Sequence, residues 1–166
     1  MVEILPAVQG DLPVIFTLAN EIWGEAYKNI LSPEQIKYML REMYSMPVLE
    51  QLFHSLDHHF ILAWQDQVAV GFALYHPKEN LESVTRLSKI YIHPSLQRKG
   101  IGKQMMRYIE KVMVSSNMRI LELNVNRHNP AIEFYKRLGF EIIEEEDIDI
   151  GEGYYMNDYI MQKNIV

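Results

Sequence analysis

The residues best placed to do chemistry lie in Ile90-Tyr91-Ile92-His93-Pro94-Ser95-Leu96-Gln97-Arg98-Lys99-Gly100-Ile101-Gly102-Lys103. Pro94 has no N–H for a strand ladder, so a strand must end there. Gly100 and Gly102 let the backbone bend and let a ligand approach. The periodic apolar run from Ile101 onward predicts a helix, whose first turn carries unpaired N–H groups and a partial positive charge. With Arg98 and Lys99 beside it, the stretch reads as a cradle for a phosphate or pyrophosphate after a strand. A Walker A loop would need Gly at 97 and Ser or Thr at 104, where the chain has Gln97 and Gln104. A dinucleotide fingerprint would need Gly at 105, where the chain has Met105. Both are excluded. The chain has no cysteine, which removes disulfides, thiolate metal sites and a cysteine nucleophile together. His58-His59 lacks further ligands at a sensible spacing, so no metal is expected.

The motif Gln-Arg-x-Gly-x-Gly, with x-Ile-x-Pro just upstream, resembles the acetyl-CoA loop of the GNAT family of N-acetyltransferases. A second stretch, Asn124 to Phe140, fits the same family independently. Its pattern N-x-x-A-x-x-F/L-Y-x-x-x-G-F is filled by Asn129, Ala131, Phe134, Tyr135, Gly139 and Phe140, although Asn129 stands one residue nearer to Ala131 than that pattern writes it. The resemblance covers roughly residues 60 to 163, with the first two helices matching only by order and length. It implies acetyl-CoA as co-substrate. Backbone N–H groups from Arg98 through Lys99, Gly100, Ile101, Gly102 and Lys103 would hold the pyrophosphate, with Gln97 adding a polar contact. Ile90 and Ile92 would pair their backbone groups with the pantetheine amides, like a short extra strand. Asn126 and Asn129 would contact the arm or cap the following helix, and Arg137 would reach the 3′-phosphate or simply face solvent. Tyr135 occupies the position of the family tyrosine near the sulfur. A phenol can donate a hydrogen bond or a proton as charge builds on the departing thiolate.

The acceptor implied is a primary amine, of a small molecule or a peptide, which must lose a proton before it attacks. Many relatives place a Glu on the strand before the loop, but here that strand reads Arg86-Leu87-Ser88-Lys89-Ile90-Tyr91-Ile92. Glu82 falls in the preceding loop, His93 reads as a cap of the strand end, and His76 belongs to a turn. A chain of waters leading to bulk solvent is the expected proton path. Trp23, Tyr27 and Tyr38 on the first helices resemble the layout of the polyamine or diamine branch. The alternative is a domain that senses acetyl-CoA, or only mediates an interaction, without transferring anything.

Of the 166 residues, 48% are hydrophobic and 23% charged, the balance of a globular protein of about one domain. No 18-residue apolar run predicts a membrane span, and Met1 to Pro6 lack a signal peptide's basic and apolar regions, so a cytoplasmic site is expected. A net charge of −6 argues against nucleic acid as a partner. The charge is uneven. Arg98, Lys99, Lys103, Arg107 and Lys111 cluster in one segment, while Glu141 to Asp158 carries eight acidic residues and no basic one. The first suits an anionic ligand, and the second would steer a cation or merely be a solvated loop. A homodimer is compatible with the family resemblance.

These residues must be positioned by a mixed α/β chain. The order read from periodicity and caps is a strand, two or three helices, three strands, a helix, a strand, a short helix and two strands. Ser32-Pro33-Glu34-Gln35 supplies an N-cap, a Pro at N1 and a Gln for a capping box. Strand–helix–strand from Val84 to Val125 implies a right-handed crossover and a parallel pair. The GNAT resemblance makes this a mixed, mostly antiparallel sheet of six or seven strands. Helices would cover both faces and the parallel pair would lie at the cofactor cleft.

Overall fold

A computed structural model describes residues 1–166. The chain runs β1 (Val2–Pro6), α1 (Leu12–Ala26), α2 (Pro33–Tyr44), α3 (Met46–His54), β2 (His59–Gln65), β3 (Val68–Pro77) and β4 (Val84–Ile92). It continues with α4 (Ile101–Ser115), β5 (Ile120–Asn126), α5 (Ala131–Arg137), β6 (Glu141–Gly151) and β7 (Tyr154–Asn164). The helix starts follow their local chemistry. Ser32 Oγ accepts from the Gln35 N–H at 3.1 Å, which caps α2. Only half of the expected capping box forms, because the Gln35 side chain donates to the Tyr155 carbonyl at 2.9 Å. α5 is capped by Asn129 Oδ1, which accepts from the Ala131 N–H at 2.9 Å. Gly139 closes that helix with φ of 94°, a conformation that a side chain would strain.

The seven strands form one sheet in the order β1-β2-β3-β4-β5-β7-β6. Only β4 and β5 are parallel, from Val84 opposite Ile120 to Leu87 opposite Leu123. The expected strand bounds shift at the end of β3. β3 runs on through His76 and Pro77, so His76 pairs with Arg86 inside the sheet and does not lie in a loop. The acidic segment forms the edge strand β6, the expected antiparallel partner of the last strand, and most of it is exposed. Charged residues along an open edge discourage pairing with another chain.

Strand alternation splits the core in two. On one face, α4 and α5 cover Ile61, Ala73, Leu87, Leu121, Leu123 and Val125. On the other, α1, α2 and α3 cover Phe60, Leu62, Phe72 and Leu74. On the second face the middle of β5 and β7 has no helix over it, since α2 reaches β6 and β7 only at their far ends, around Ile150 and Tyr154. It carries instead a polar strip that includes Glu122, Asn124, Asp158 and Gln162. No helix is long and apolar enough to cross a membrane.

Candidate active site

The centre of the site is where β4 leaves β5. The rungs stop at Leu87 and Leu123, and β5 continues through Asn124–Asn126 paired only to β7. The register against β3 jumps at the same point: Tyr75 faces Leu87, but Leu74 faces Lys89. Ser88 is therefore the extra residue of a bulge, which bends β4 away from β5. The result is a wedge-shaped gap between residues 89–92 and 124–126.

The side of β4 that faces the gap is unpaired. The His93 N–H donates to the Val70 carbonyl at 2.8 Å, so residue 93 bonds toward β3. By the alternation of an antiparallel ladder, Tyr91 does the same, and Ile90 and Ile92 turn their N–H and C=O groups into the gap. Their side chains, half-buried, pack on the α4 face. An extended amide-bearing ligand would continue the ladder here.

The basic loop lies at the far end of β4. Pro94–Leu96 forms one 3-10 turn, capped by the His93 side chain, which accepts from the Ser95 N–H. Arg98 and Gly100 have φ of 64° and 81°. The N–H groups of Lys99, Gly100, Ile101, Gly102 and Lys103 find no acceptor within the chain, as expected for a first helical turn. Gln97, Arg98, Lys99 and Gly100 are exposed. The two glycines serve different ends. Gly100 has open space around it but needs its left-handed conformation. A Cβ on Gly102 would stand 3.1 Å from Phe134 Cζ, so this glycine lets α5 pack on the start of α4. That contact locks the two sequence motifs together.

On the other side of the gap, α5 carries Tyr135. Its ring lies 5.4 Å from Phe134 and 5.8 Å from Phe140, and the residue is buried. Burial pushes its phenol well above the ordinary value, and the neighbouring Tyr27 pushes in the same direction. Tyr27, the residue after α1, meets this group from the opposite face, with its hydroxyl 3.1 Å from the Tyr91 hydroxyl. Burial raises the Tyr27 phenol and Asp158 adds to this, while the Tyr91 and Asn129 side chains act against it. Tyr27, Tyr91, Asn129, Tyr135 and Asp158 thus form one neighbourhood, drawn from five separate elements or loops.

Other expected site residues separate. Asn126 Oδ1 accepts from the His128 N–H at 2.9 Å, so its oxygen is spent on the turn. Asn129 caps α5 and also faces Tyr27. Arg137 is exposed in the last turn of α5 and has no ion partner. Of the three aromatics read on the first helices, Tyr27 alone reaches the gap. Trp23 is 2% exposed in the core, and the Tyr38 hydroxyl donates to the Ile150 carbonyl at 2.6 Å. His93 caps a turn, as expected. His76 stacks on His58 at 4.2 Å and meets Ser88 Oγ at 2.8 Å, next to the bulge.

Three residues here escaped the sequence reading. Tyr91 looked like a plain strand residue. Lys89 is 6% exposed over the Tyr44 ring, 4.2 Å from its centroid, and burial lowers its ammonium to about 8. Asp158 is 6% exposed and faces Asn126 in the β5–β7 register. The signal that could have found it is an acidic residue among the alternating apolar positions of the last strand.

The sequence comparisons agree with this geometry. The model of the acetyltransferase (GNAT) family matches residues 18–140, and the chain belongs to that family. It is 30% identical to the spermidine N(1)-acetyltransferase of Thermoplasma acidophilum over 158 residues, which is 92% of this chain and 91% of that protein. An N-acetyltransferase from Lactobacillus delbrueckii subsp. lactis is 23% identical over 171 residues, covering 99% and 98%. The solved structure of PaiA N-acetyltransferase from Thermoplasma acidophilum in complex with coenzyme A superposes with a TM-score of 0.82 at 28% identity, over 99% of both chains. The ribosomal-protein-S18-alanine N-acetyltransferase of Escherichia coli shares the fold, with a TM-score of 0.74 at 18% identity over 99% and 94%. The protein is an acetyl-CoA-dependent N-acetyltransferase.

Proposed function

We propose that the enzyme acetylates a primary amine of a small polyamine, of the spermidine kind, by direct attack within a ternary complex. The observation that carries this reading is the meeting of Tyr135, Tyr27 and Asn129 at the unpaired edge of β4, beside an exposed acidic strand. The free N–H groups from Lys99 to Lys103 fit a pyrophosphate, with Arg98 and Gln97 at its side and Arg137 reaching for the 3′-phosphate. The gap-facing groups of Ile90 and Ile92 fit the two pantetheine amides, with Asn126 and Asn129 along the arm. This would deliver the thioester beside Tyr135, which donates its proton to the departing sulfur. The polar strip beyond β4, with β6 at its edge, suits a cationic acceptor arriving from the second face. The name of the Thermoplasma acidophilum relative supports the same acceptor class.

The test is an amine panel with acetyl-CoA. Spermidine-like amines are expected to be turned over with higher kcat/KM than amino acids or peptide N-termini. Equal rates across the panel would overturn the polyamine reading. For the loop, Gly100→Val forces a β-branched residue to φ near 81°. Strain of this sort costs roughly 1–3 kcal/mol unless the backbone moves, and movement would dismantle the N–H cradle. Acetyl-CoA affinity should fall about tenfold, a change of about 1.4 kcal/mol. Titration calorimetry that shows wild-type affinity would separate the loop from the cofactor.

A further inference from the structure

We infer that Asp158 is the base of this enzyme: its carboxylate binds the ammonium group of the acceptor and takes the first proton from it. The inference rests on the amine-acetyltransferase reading above and names the group that the sequence left to water. Three observations carry it. Asp158 is nearly buried, yet no cation lies within ion-pair distance of it. Its one hydrogen bond in the chain comes from Asn124 Nδ2 to Oδ2 at 3.3 Å, which leaves Oδ1 without a donor. Asn124 Oδ1, on the first residue of β5 beyond the last β4 rung, is buried and also lacks a donor. Acceptor atoms thus outnumber donors here, and the buried one, Asn124 Oδ1, costs free energy while it is unmet. A primary ammonium brings three donors and one positive charge.

The contrast with Glu122 is instructive. That carboxylate, 1% exposed, takes Lys78, Arg86 and Gln162 and has nothing left to offer. Around Asp158, Arg86 from β4 is committed to Glu122, and Arg127 after β5 is committed to Glu145 and Asp147. Glu146 on β6 stands opposite in register and shares the Asn124 amide at 3.5 Å. Tyr27 faces the group from the end of α1. Burial raises the Asp158 carboxyl above its ordinary value and Glu146 adds to this, against Asn124, Arg86 and Arg127. A base raised toward the working pH transfers protons more effectively.

The proton balance closes. Asp158 takes one proton from the ammonium, and the freed nitrogen lone pair attacks the thioester carbonyl carbon. The carbon–nitrogen bond forms as the carbonyl pair moves to oxygen. When that pair returns, the carbon–sulfur bond breaks, and sulfur leaves with its electrons and the Tyr135 proton. The second nitrogen proton restores Tyr135, and Asp158 releases its own to solvent. The products are an amide, coenzyme A and one proton.

The test is the pH profile of kcat/KM for spermidine with wild type, Asp158→Asn and Asp158→Glu. Loss of a positioned base typically costs about 10²–10⁴-fold, so Asp158→Asn should lose a hundredfold or more. It should also lose the acidic limb of the profile and keep wild-type acetyl-CoA affinity. Asp158→Glu should keep the limb and recover part of the rate. A merely structural Asp158 would lower the Tm and leave the limb in place, which overturns the inference. A wild-type profile without an acidic limb overturns it as well, whether or not Asp158→Asn folds. Failure of the wild type to acetylate any polyamine would instead strike at the proposed function.

Discussion

Tyr135→Phe is expected to lower kcat by about a hundredfold or more, the scale of a lost general acid. Acetyl-CoA affinity and Tm should stay near wild type. The ring already packs between Phe134 and Phe140, and the substitution keeps that packing. The hydroxyl makes no hydrogen bond within the chain, so its removal strands no partner. Burial holds the phenol well above its ordinary value, which keeps the proton on Tyr135 throughout the neutral and mildly alkaline range. The wild type should therefore show no alkaline limb from this group below about pH 10, the ordinary phenol value. Steady-state kinetics and an acetyl-CoA titration on the same preparation decide the matter. Unchanged turnover would remove Tyr135 from the chemistry. A wild type that binds acetyl-CoA and acetylates no amine would favour the sensor reading.

The second large effect concerns stability. Glu122→Ala should destabilise the fold by about 2–3 kcal/mol, a little below the usual cost of breaking a buried ion pair. The discount reflects the partners, since Lys78 and Arg86 keep 32% and 24% of their side-chain exposure and can recover some hydration. Glu122 holds Lys78 at 2.6 Å, Arg86 at 2.5 Å and Gln162 at 2.7 Å. It therefore ties the end of β3, β4 and β7 to β5 in the register of the parallel pair. A Tm lower by about 5–10 °C at pH 7 is expected for a chain of this size. The pH dependence has a definite sign. Burial pushes the Glu122 carboxyl up, but hydrogen bonds from Lys78, Gln162 and Arg86 prevail and hold it below the ordinary value. Its contribution is complete above the unfolded carboxyl value and fades as pH falls through the lower folded one. Wild type and variant should thus converge in Tm at the acid end. A difference that persists unchanged into acid would show that the carboxylate charge is not what stabilises.

Much of the fold was legible because its signals are local. β4 and α4 begin and end where Pro94, Gly100 and the apolar period place them. Asn129, Pro130 and Gly139 bracket α5 through capping and left-handed geometry, which depend on neighbours a few residues away. The parallel pair follows from the single strand–helix–strand unit and the handedness of its crossover. His76 was misplaced because a proline at a strand end looks the same in sequence as a proline in a loop. Ladder pairing with β4 decides which it is.

The sequence by itself determined the donor side: a free helix N-terminus, two glycines and a strand that feeds them, all within fourteen consecutive residues. Short-range backbone geometry is enough to build an anion cradle, so short-range sequence is enough to announce it. The acceptor side was decided only in three dimensions. The Ser88 bulge opens β4 from β5, and the β5–β7 register then carries Asp158 to the mouth of that opening, 23 residues beyond Tyr135 in the chain. Tyr27 arrives from more than a hundred residues away. The place of Asp158 among the alternating apolar positions of the last strand marks it off from the acidic residues of β6, but no local stretch says whether a cation meets it. Its role rests on burial without a cation, and burial is a property of packing that no local stretch contains.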